Sequence, residues 1–363
     1  MTHYIWSNLD FEYALRHGSA WICPRVVLKN LEQWTYLLRC MPGFHDAQLW
    51  DQKIAVNPHD LLCWGLDSRT PHITNAHLDA IKKANDKLTL LTVEPTQNTL
   101  PYSRKLRTMH DLHDALASPP PHGWIIKHPF GVSGRDRIVG KGPTIENRHQ
   151  RWAEKNFASG DALLFEPFID IRKETSWHFE LSPTGDITTQ GKCTILVDSQ
   201  GTHRGHIIQS QDLKHTHPPE IILTTLKNLY TQTGYHGPLS TDGFTGHLDG
   251  QRIERHISEI NARITFGRVA IELARPYLDG GPNRTILWWH PAQSTSLDAA
   301  RHEALTPLPL GKAPDTERAF YRMPTQTDPD YLNKTVIYTT DQNINLDPGA
   351  PIEEQLLALW HTL

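Results

Sequence analysis

The sequence feature that most restricts the fold of this chain lies between about 252 and 264, where polar and apolar residues alternate with a period of two. In an extended strand, successive side chains point to opposite faces. Glu259, Asn261 and Arg263 therefore share one face, and the apolar residues between them share the other. One face can pack into a core while the other contacts ligands. The sequence predicts a half-buried strand whose open face is polar.

The groups on this polar face suit a metal ion and an anion. A carboxylate and an amide oxygen two residues apart are ligands that Mg²⁺ prefers, and Mg²⁺ usually keeps substrate phosphates in its shell. Arg263 adds a planar fork for another anion. Asp242, on the preceding strand-like segment, supplies a further carboxylate. The same alternation also occurs on ordinary exposed strands, so the interpretation depends on the rest of the chain.

Length and charge exclude several classes of protein. At 363 residues the chain can form two or three compact units. Its formal net charge is −4 and it has no long basic run, which argues against binding to nucleic acid or to a membrane surface. It has no apolar run of about eighteen residues and no signal-peptide pattern. A small-molecule partner is therefore expected.

Cysteine and histidine are scattered along the chain. The four cysteines, Cys23, Cys40, Cys63 and Cys193, show neither a metal-ligand nor a disulfide spacing, so a reducing, cytoplasmic location is expected. The 22 histidines are spread singly, without a ligand pair at helical spacing. A zinc site is not expected.

Residues 1–95 alternate short apolar runs with helix-like stretches. Strands are expected at 20–23 and 60–64, and a helix at about 75–86. This alternation predicts a small α/β unit with a largely parallel sheet. A glycine-rich dinucleotide motif is absent from it, so a nicotinamide or flavin site is not supported.

A glycine-containing loop follows a buried strand at 123–128 that ends near Lys127. Apolar residues resume at Ile138, so the loop joins two strands of a hairpin. Glycines let the backbone approach a ligand, and successive N–H groups form a concavity that binds anions. An ordinary hairpin loop is the alternative, and the order of residues is not that of a P-loop. The candidate phosphate-binding residues are Gly131, Ser133, Gly134 and Arg135.

The second half of the chain reads as a series of strands and helices. The apolar segment 161–169 contains Glu166 and a proline, which suits an edge strand or a strand exit with free backbone groups. Glu174 lies eight residues beyond Glu166. Residues 203–206 are expected to form a charged loop. Residues 218–233 fit an amphipathic helix, and 239–244 are expected to pair with 252–260 as antiparallel strands.

Taken in order, these segments resemble the ATP-grasp superfamily from about 85 to 267. The matching motifs are Asp86-Lys87, Lys127 with the glycine loop 131–134, Glu166-Pro167-Phe168-Ile169, Glu174, Asp242, and Glu259-Ile260-Asn261. The resemblance implies an ATP-grasp fold of the α/β (α+β) class. Residues 1–95 would form an N-terminal α/β domain, and residues 96–165 a small lobe. Residues 166–363 would form a large lobe with a C-terminal extension, and the two α+β lobes would clasp ATP.

The resemblance also implies roles for individual residues. Lys87 and Lys127 would contact ATP, and the glycine loop would close over its phosphates. Glu166 and Phe168 would lie at the adenine, and Glu174 at the ribose. Asp242, Glu259 and Asn261 would hold Mg²⁺ or Mn²⁺. The catalytic candidates are Arg263, Lys127 and Arg204, with Arg172 and Lys192 as further candidates for gripping a carboxylate.

The implied activity is that of an ATP-dependent ligase. Such an enzyme phosphorylates a carboxylate to an acylphosphate, which an amine then attacks to form an amide and release ADP and phosphate. The expected partners are a small carboxylate and a small amine, such as an amino acid or peptide, and homodimer formation is left open. Two alternatives stay open: a small-molecule kinase of the same fold, and a nucleotide-binding module without turnover.

Overall fold

The structure is a computed structural model that contains three separate β-sheets with helices packed around them. It describes residues 2–6, 8–25, 34–131, 134, 136–199, 201–214, 217–279, 284–290, 299–312, 320–323, 335–341, 344, 346–347 and 350–361. The three sheets follow one another along the chain, the first parallel and the other two antiparallel. The predicted mixed α and β class is confirmed.

The first sheet is small and parallel. Its strands are Tyr4–Trp6 (β1), Gln48–Leu49 (β2) and Leu61–Cys63 (β3), in the order β2-β1-β3. The prediction of an N-terminal unit with a parallel sheet is confirmed, but the strand expected at 20–23 is wrong. The indole of Trp21 instead donates to Asp10 at 2.7 Å and stacks on Tyr13, so this segment packs on a helix.

Among the described residues, three α-helices accompany this sheet: Phe11–His17 (α1), Asn75–Asn85 (α2) and Lys87–Val93 (α3). The side chain of Asp86 accepts a hydrogen bond from the backbone N–H of Leu88 at 2.8 Å. Asp86 is thus the N-cap of α3, a position that favours Asp because its oxygen satisfies a free N–H group. This cap fixes Lys87 as the first residue of the helix.

The second sheet has four antiparallel strands and forms the small lobe. The strands are Arg104–Leu106 (β4), Trp124–Lys127 (β5), Arg137–Gly140 (β6) and Leu163–Pro167 (β7), in the order β4-β7-β5-β6. Helices Met109–Ala117 (α4) and Asn147–Ala158 (α5) flank them. A buried cluster that includes Leu112, Trp124 and Phe165 forms the core of this lobe.

Strand β7 tests the two settings expected for this proline-containing segment, an edge strand or a strand exit. It pairs with β4 on one side and β5 on the other, so it is an inner strand, and Pro167 lies at its exit. Pro167 is tolerated because it is the last residue of the strand, where a missing N–H interrupts no further ladder bond. The predicted boundary between residues 165 and 166 falls inside β7.

The third sheet has eight strands and forms the large lobe. These are Asp170–Leu181 (β8), Ile187–Val197 (β9), His203–Gln209 (β10), Gly237–Leu248 (β11), Gln251–Asn261 (β12), Thr285–Trp289 (β13), Phe320–Arg322 (β14) and Val336–Thr340 (β15). Their order is β12-β11-β8-β9-β10-β13-β15-β14. The predicted antiparallel pairing of the two strands before and through Glu259 is confirmed.

Five helices belong to this part of the chain: Gln211–Lys214 (α6), Glu220–Thr233 (α7), Phe266–Leu278 (α8), Ala299–Glu303 (α9) and Ile352–His361 (α10). Helix α8 packs its buried face, including Val269 and Leu273, against Ile208 and Ile286 of the sheet. In the described part of the chain, every helix is too short or too polar to cross a membrane.

Residues 203–206, expected to be a loop, belong to strand β10. This strand lies between β9 and β13, and its ladder with β9 shifts register between His203 and Gly205. Gly205 has φ +148°, and a Cβ there would meet the carbonyl oxygen of Trp288. Only glycine fits this close approach. The polar residues that suggested a loop are therefore held in the sheet.

Candidate active site

A cleft of about 1670 Å³ lies where the three parts of the molecule meet. Lys127 of β5, Glu174 of β8, Glu259 of β12 and Glu12 of α1 all border it. Most small-molecule sites enclose roughly 300–1,000 Å³. This cleft has room for a nucleotide and a second ligand together.

Acidic and amide groups meet on the large-lobe wall of the cleft. The sheet register places Asp242 opposite Glu259 on one side and opposite Ser176 on the other. Ser176 donates its hydroxyl to Asp242 at 2.6 Å, and the amide of Asn261 donates to the other oxygen of Asp242 at 2.9 Å. The structure thus brings together Asp242, Glu259 and Asn261, the three predicted metal ligands.

The carboxylates of this wall have unequal pKa values. Burial and the charge of Glu259 raise the pKa of Asp242 to about 6. Burial and the charges of Asp242 and Glu259 raise the pKa of Glu174 to about 7. Burial also acts against the ionised form of Glu259, but the Lys87 ammonium outweighs it and lowers that pKa. Negative charge is thus concentrated here beyond what the neighbouring cations balance, which favours an additional cation.

Lys87 links this acidic wall to the glycine loop. Its ammonium lies 2.9 Å from a carboxylate oxygen of Glu259 and donates to the carbonyl oxygen of Gly131 at 2.7 Å. Gly131 and Gly134 both border the cleft. Ser133 and Arg135, also predicted to bind phosphate, lie outside the described residues.

Lys127 belongs to a buried network of charges. Its ammonium lies 2.7 Å from Glu166, whose other oxygen is 2.6 Å from Arg255. Arg255 also approaches Glu94 at 3.5 Å. Burial acts to raise the pKa of Glu166, but Lys127 and Arg255 outweigh it and lower the value to about 2. The carboxylate of Glu166 is therefore engaged by two cations, and its contact with adenine stays a prediction.

Two other residues, predicted to contact the adenine and the ribose, also border the cleft. Phe168, just after β7, borders the cleft and is 42% exposed, while its backbone N–H donates to Gly123 at 2.9 Å. Glu174 borders the same cleft but lies among the acidic residues described above. Contact of Glu174 with a ribose stays a prediction.

Arg263 forms an ion pair that the sequence did not indicate. Its Nε lies 2.6 Å from a carboxylate oxygen of Glu12, which belongs to α1 of the N-terminal unit. Glu12 is 7% exposed, and burial raises its pKa although Arg263 opposes that effect. The N-terminal unit therefore contributes a side chain directly to the centre of the cleft.

Arg204 is not among the residues that border the cleft, and its role as a catalytic residue stays a prediction. Its guanidinium contacts Asp198 at 2.7 Å and Glu353 at 3.2 Å. Lys192 also lies away from the cleft, 3.4 Å from Asp212. Arg172 does border the cleft and is paired with Asp170 at 2.6 Å. The sequence does not show which face of a strand points into the cleft, so it could not tell the cations that border the cleft from those that do not.

The donor set at Asp242, Glu259 and Asn261 fits a hard cation that keeps other oxygen ligands. Within the ranges that the structure describes, no group of three or more His, Cys, Asp or Glu side chains is arranged as a metal centre. Mg²⁺ commonly binds through only one or two carboxylates together with substrate phosphates. Two facing carboxylates and an amide suit that mode of binding and do not suit a closed, all-protein site.

Several residues at the cleft or in contact with its lining were not predicted from the sequence. Arg255 was hidden because the ladder shifts register between Asp242 and Phe244, which disturbs simple alternation along β12. Glu12 gave no signal, because it lies in an ordinary amphipathic helix far from the motifs. The aromatic and histidine residues at one end of the cleft also formed no sequence motif that would have predicted a site.

The arrangement of the sheets agrees with the ATP-grasp fold that the motifs resemble. A four-stranded antiparallel lobe and a larger antiparallel lobe enclose one cleft, with an α/β unit before them. Lys87 and Lys127 face the acidic residues of the large lobe across this cleft.

Comparisons with known proteins gave matches in structure only. No protein-family model and no curated protein matches this sequence. An N5-carboxyaminoimidazole ribonucleotide synthetase solved with ADP is 13% identical, with a TM-score of 0.48 over 78% of this chain and 74% of that one. Biotin carboxylase from Campylobacter jejuni is also 13% identical, with a TM-score of 0.48 over 78% and 67%. An L-amino acid ligase from Bacillus licheniformis is 12% identical, with a TM-score of 0.43 over 81% and 73%. At these values the matches bear on neither the substrate nor the reaction of this chain.

Proposed function

We propose that this protein is an ATP-dependent ligase that joins a carboxylate to an amine. The observation that carries the proposal is the set of opposed charges in the cleft. The ammonium of Lys87 lies 2.9 Å from Glu259, and that of Lys127 lies 2.7 Å from Glu166. Cations and anions that face one another in a cleft are what a magnesium-bound triphosphate requires.

The proposed metal ligands are Asp242, Glu259 and Asn261. An ion held there would neutralise charge on the phosphates when ATP is bound. Their arrangement supports this role, because Asp242 is fixed by Ser176 and Asn261 and keeps Glu259 as its cross-strand neighbour.

The chain's own cations would orient the triphosphate. Lys87 extends from the first turn of α3 toward both Glu259 and the glycine loop, so a phosphate at this point would contact it directly. Lys127 is held from behind by Glu166, which leaves its position defined before a nucleotide binds. Such preorganisation lowers the barrier because no charge must be reoriented during the reaction.

The reaction we propose has two steps. A carboxylate oxygen of the first substrate attacks the γ-phosphorus, the bond to the β-phosphate oxygen breaks, and ADP leaves. The amine nitrogen of the second substrate then attacks the acyl carbon, phosphate leaves with the bonding pair, and the nitrogen loses a proton. Arg263, at the centre of the cleft beside Glu12, is the candidate for gripping the carboxylate.

A labelled-oxygen experiment tests this function. Purified protein is incubated with Mg·ATP, a pool of ¹⁸O-labelled carboxylates and a pool of amines. We expect ADP only when both pools are present, with one ¹⁸O atom transferred to inorganic phosphate through the acylphosphate. ADP with a phosphorylated alcohol would instead indicate a kinase, and tight ATP binding without ADP would indicate a nucleotide-binding module. Asn261→Ala serves as the inactive control.

A further inference from the structure

One end of the cleft is lined by aromatic rings and imidazoles in place of charges. Trp34 precedes the 3₁₀ helix Thr35–Cys40, His203 lies on β10, Phe266 begins α8, and His290 follows β13. All four border the cleft, and we call them the aromatic end. They come from four separate segments, so only the tertiary structure brings them together.

The rings of the aromatic end touch one another in a connected wall. The ring centroids of Trp34 and His290 are 4.9 Å apart, and those of Trp34 and Phe266 are 5.4 Å apart. His203 and Phe266 are 5.9 Å apart. These separations are typical of edge-to-face and tilted aromatic pairs, which present both ring faces and ring edges to a neighbouring ligand.

The imidazoles of this wall are uncharged near neutral pH. Burial and the nearby Arg204 lower the pKa of His203 to about 4. Burial, together with His203 and Arg204, lowers the pKa of His290 to about 3. Arg204 thus acts from behind the wall, where it is held by Asp198 and Glu353. None of the four side chains of the aromatic end is acidic, so a cationic ligand would find no counter-charge among them.

Hydrogen bonds fix the imidazoles from behind. His203 Nε2 lies 2.9 Å from His206 Nε2, and His206 Nδ1 lies 3.5 Å from the Sγ of buried Cys193. His290 Nδ1 lies 3.1 Å from the hydroxyl of Thr335, and its backbone N–H donates to the carbonyl of Arg204 at 2.7 Å. These contacts hold the two imidazoles in place before any ligand binds, which reduces the entropy lost on binding.

The aromatic end adjoins the proposed reaction centre through the chain itself. Arg263, Thr265 and Phe266 border the same cleft in sequence order. A ligand whose ring lies against Phe266 would extend its polar end toward Arg263 and the acidic wall. The cleft volume exceeds what a nucleotide alone requires, so this space is available to a second ligand.

We propose that the aromatic end is the specificity subsite for the non-nucleotide substrate, and that it takes an uncharged aromatic side chain. This inference rests on the proposed ligase function, because that function makes the second ligand a substrate. It adds the chemical class of that substrate.

Binding measurements test the subsite separately from catalysis. Titration calorimetry is carried out with L-phenylalanine, L-leucine, L-lysine and L-glutamate, each in the presence of a non-hydrolysable Mg·ATP analogue. We expect phenylalanine to bind about tenfold more tightly than leucine, because ring contacts add to the shared apolar burial, and the charged amino acids to bind most weakly.

Variants connect this selectivity to named residues. Trp34→Leu is expected to weaken phenylalanine binding by about tenfold and to leave leucine binding nearly unchanged. Phe266→Leu should give the same pattern and serves as the second variant if Trp34→Leu does not fold. Trp50→Leu is the matched control, because Trp50 packs on Trp6 of the N-terminal sheet, away from the cleft. It should bind all four amino acids as the wild type does.

The two proposals fail in different ways. Equal affinity for phenylalanine and leucine, no binding of either, or unchanged selectivity in both variants would overturn the aromatic subsite. ADP formation with aliphatic carboxylates and amines, without aromatic preference, would overturn the subsite and keep the ligase. Selective phenylalanine binding with no ADP formed from any pair would keep the subsite and overturn the ligase.

Discussion

The middle of the cleft and its aromatic end differ in how they accommodate buried ionisable groups. In the middle, some buried carboxylates stay charged because they are paired with cations, as Glu166 is with Lys127 and Arg255. At the aromatic end, His203 and His290 are uncharged because burial and a neighbouring cation lower their pKa values. The contrast teaches that one cleft can hold both a highly charged and a neutral ligand when charges are confined to one part of its wall.

The largest expected effect concerns the charged middle. Glu259→Gln removes one of the two facing carboxylates and should lower the rate of ADP formation at least about a thousandfold. Glu254→Gln is the matched control, since Glu254 lies on the same strand but is 60% exposed. Steady-state kinetics measures the rate, and circular dichroism checks the fold. Near-normal rates in both Glu259→Gln and Asn261→Ala would remove the metal assignment.

The second prediction tests whether paired charges hold the middle together. Arg255→Met leaves Glu94 and Glu166 without their shared buried cation, and should lower the free energy of unfolding by about 3–5 kcal/mol. Arg252→Met, at an exposed position of the same strand, should change it by less than about 0.5 kcal/mol. Urea unfolding measures both. An equal effect of the two variants would show that the buried network does not stabilise the fold.

The third prediction concerns Lys127 as a phosphate ligand. Lys127→Met should weaken binding of Mg·ATP by about 10- to 100-fold, because a charge-assisted hydrogen bond to phosphate is lost. Lys155→Met, an exposed lysine of the same lobe, is the control. Calorimetric titration with the non-hydrolysable analogue gives the affinity. Unchanged affinity in Lys127→Met would place the phosphates elsewhere.

The smallest expected effect concerns an uncharged histidine next to the aromatic end. Buried His178 contacts Cys193 behind the imidazole wall, and burial with Arg268 lowers its pKa to about 3. The unfolded chain takes up a proton below about pH 6.5 and the folded chain does not, so stability is full above that pH and falls as the pH decreases. Each unit below about pH 6.5 costs about 1.4 kcal/mol for this histidine.

His178→Asn tests this linkage. Urea unfolding between about pH 7 and about pH 5 should show a smaller loss of stability in the variant than in the wild type. His110→Asn, whose side chain is 83% exposed in the wild type, should leave the pH dependence unchanged. If His178→Asn kept the full pH dependence of stability seen in the wild type, His178 would be charged in the folded protein. The contrast between the middle of the cleft and its aromatic end would then fail.

Local patterns in the sequence predicted much of the site. The alternation through Ile260, Ala262 and Ile264 gave the buried face, and all three are buried. The apolar run that ends at Lys127 placed that lysine, the resemblance of Asp86-Lys87 to a family motif placed Lys87, and the order of motifs indicated the fold. These features depend on interactions between neighbouring residues, which the sequence shows directly.

Only the tertiary structure decided which groups meet across the cleft. Glu166 pairs with Arg255, 89 residues away, and Glu12 with Arg263, which belongs to another part of the fold. The tertiary structure also decided three other features. These are the inner position of β7, the position of Arg204 outside the cleft lining, and the contact of Trp34 with Phe266 and His290. Sheet order and register set these contacts. Because a register depends on the packing of distant strands and helices together, no local stretch of sequence contains the information.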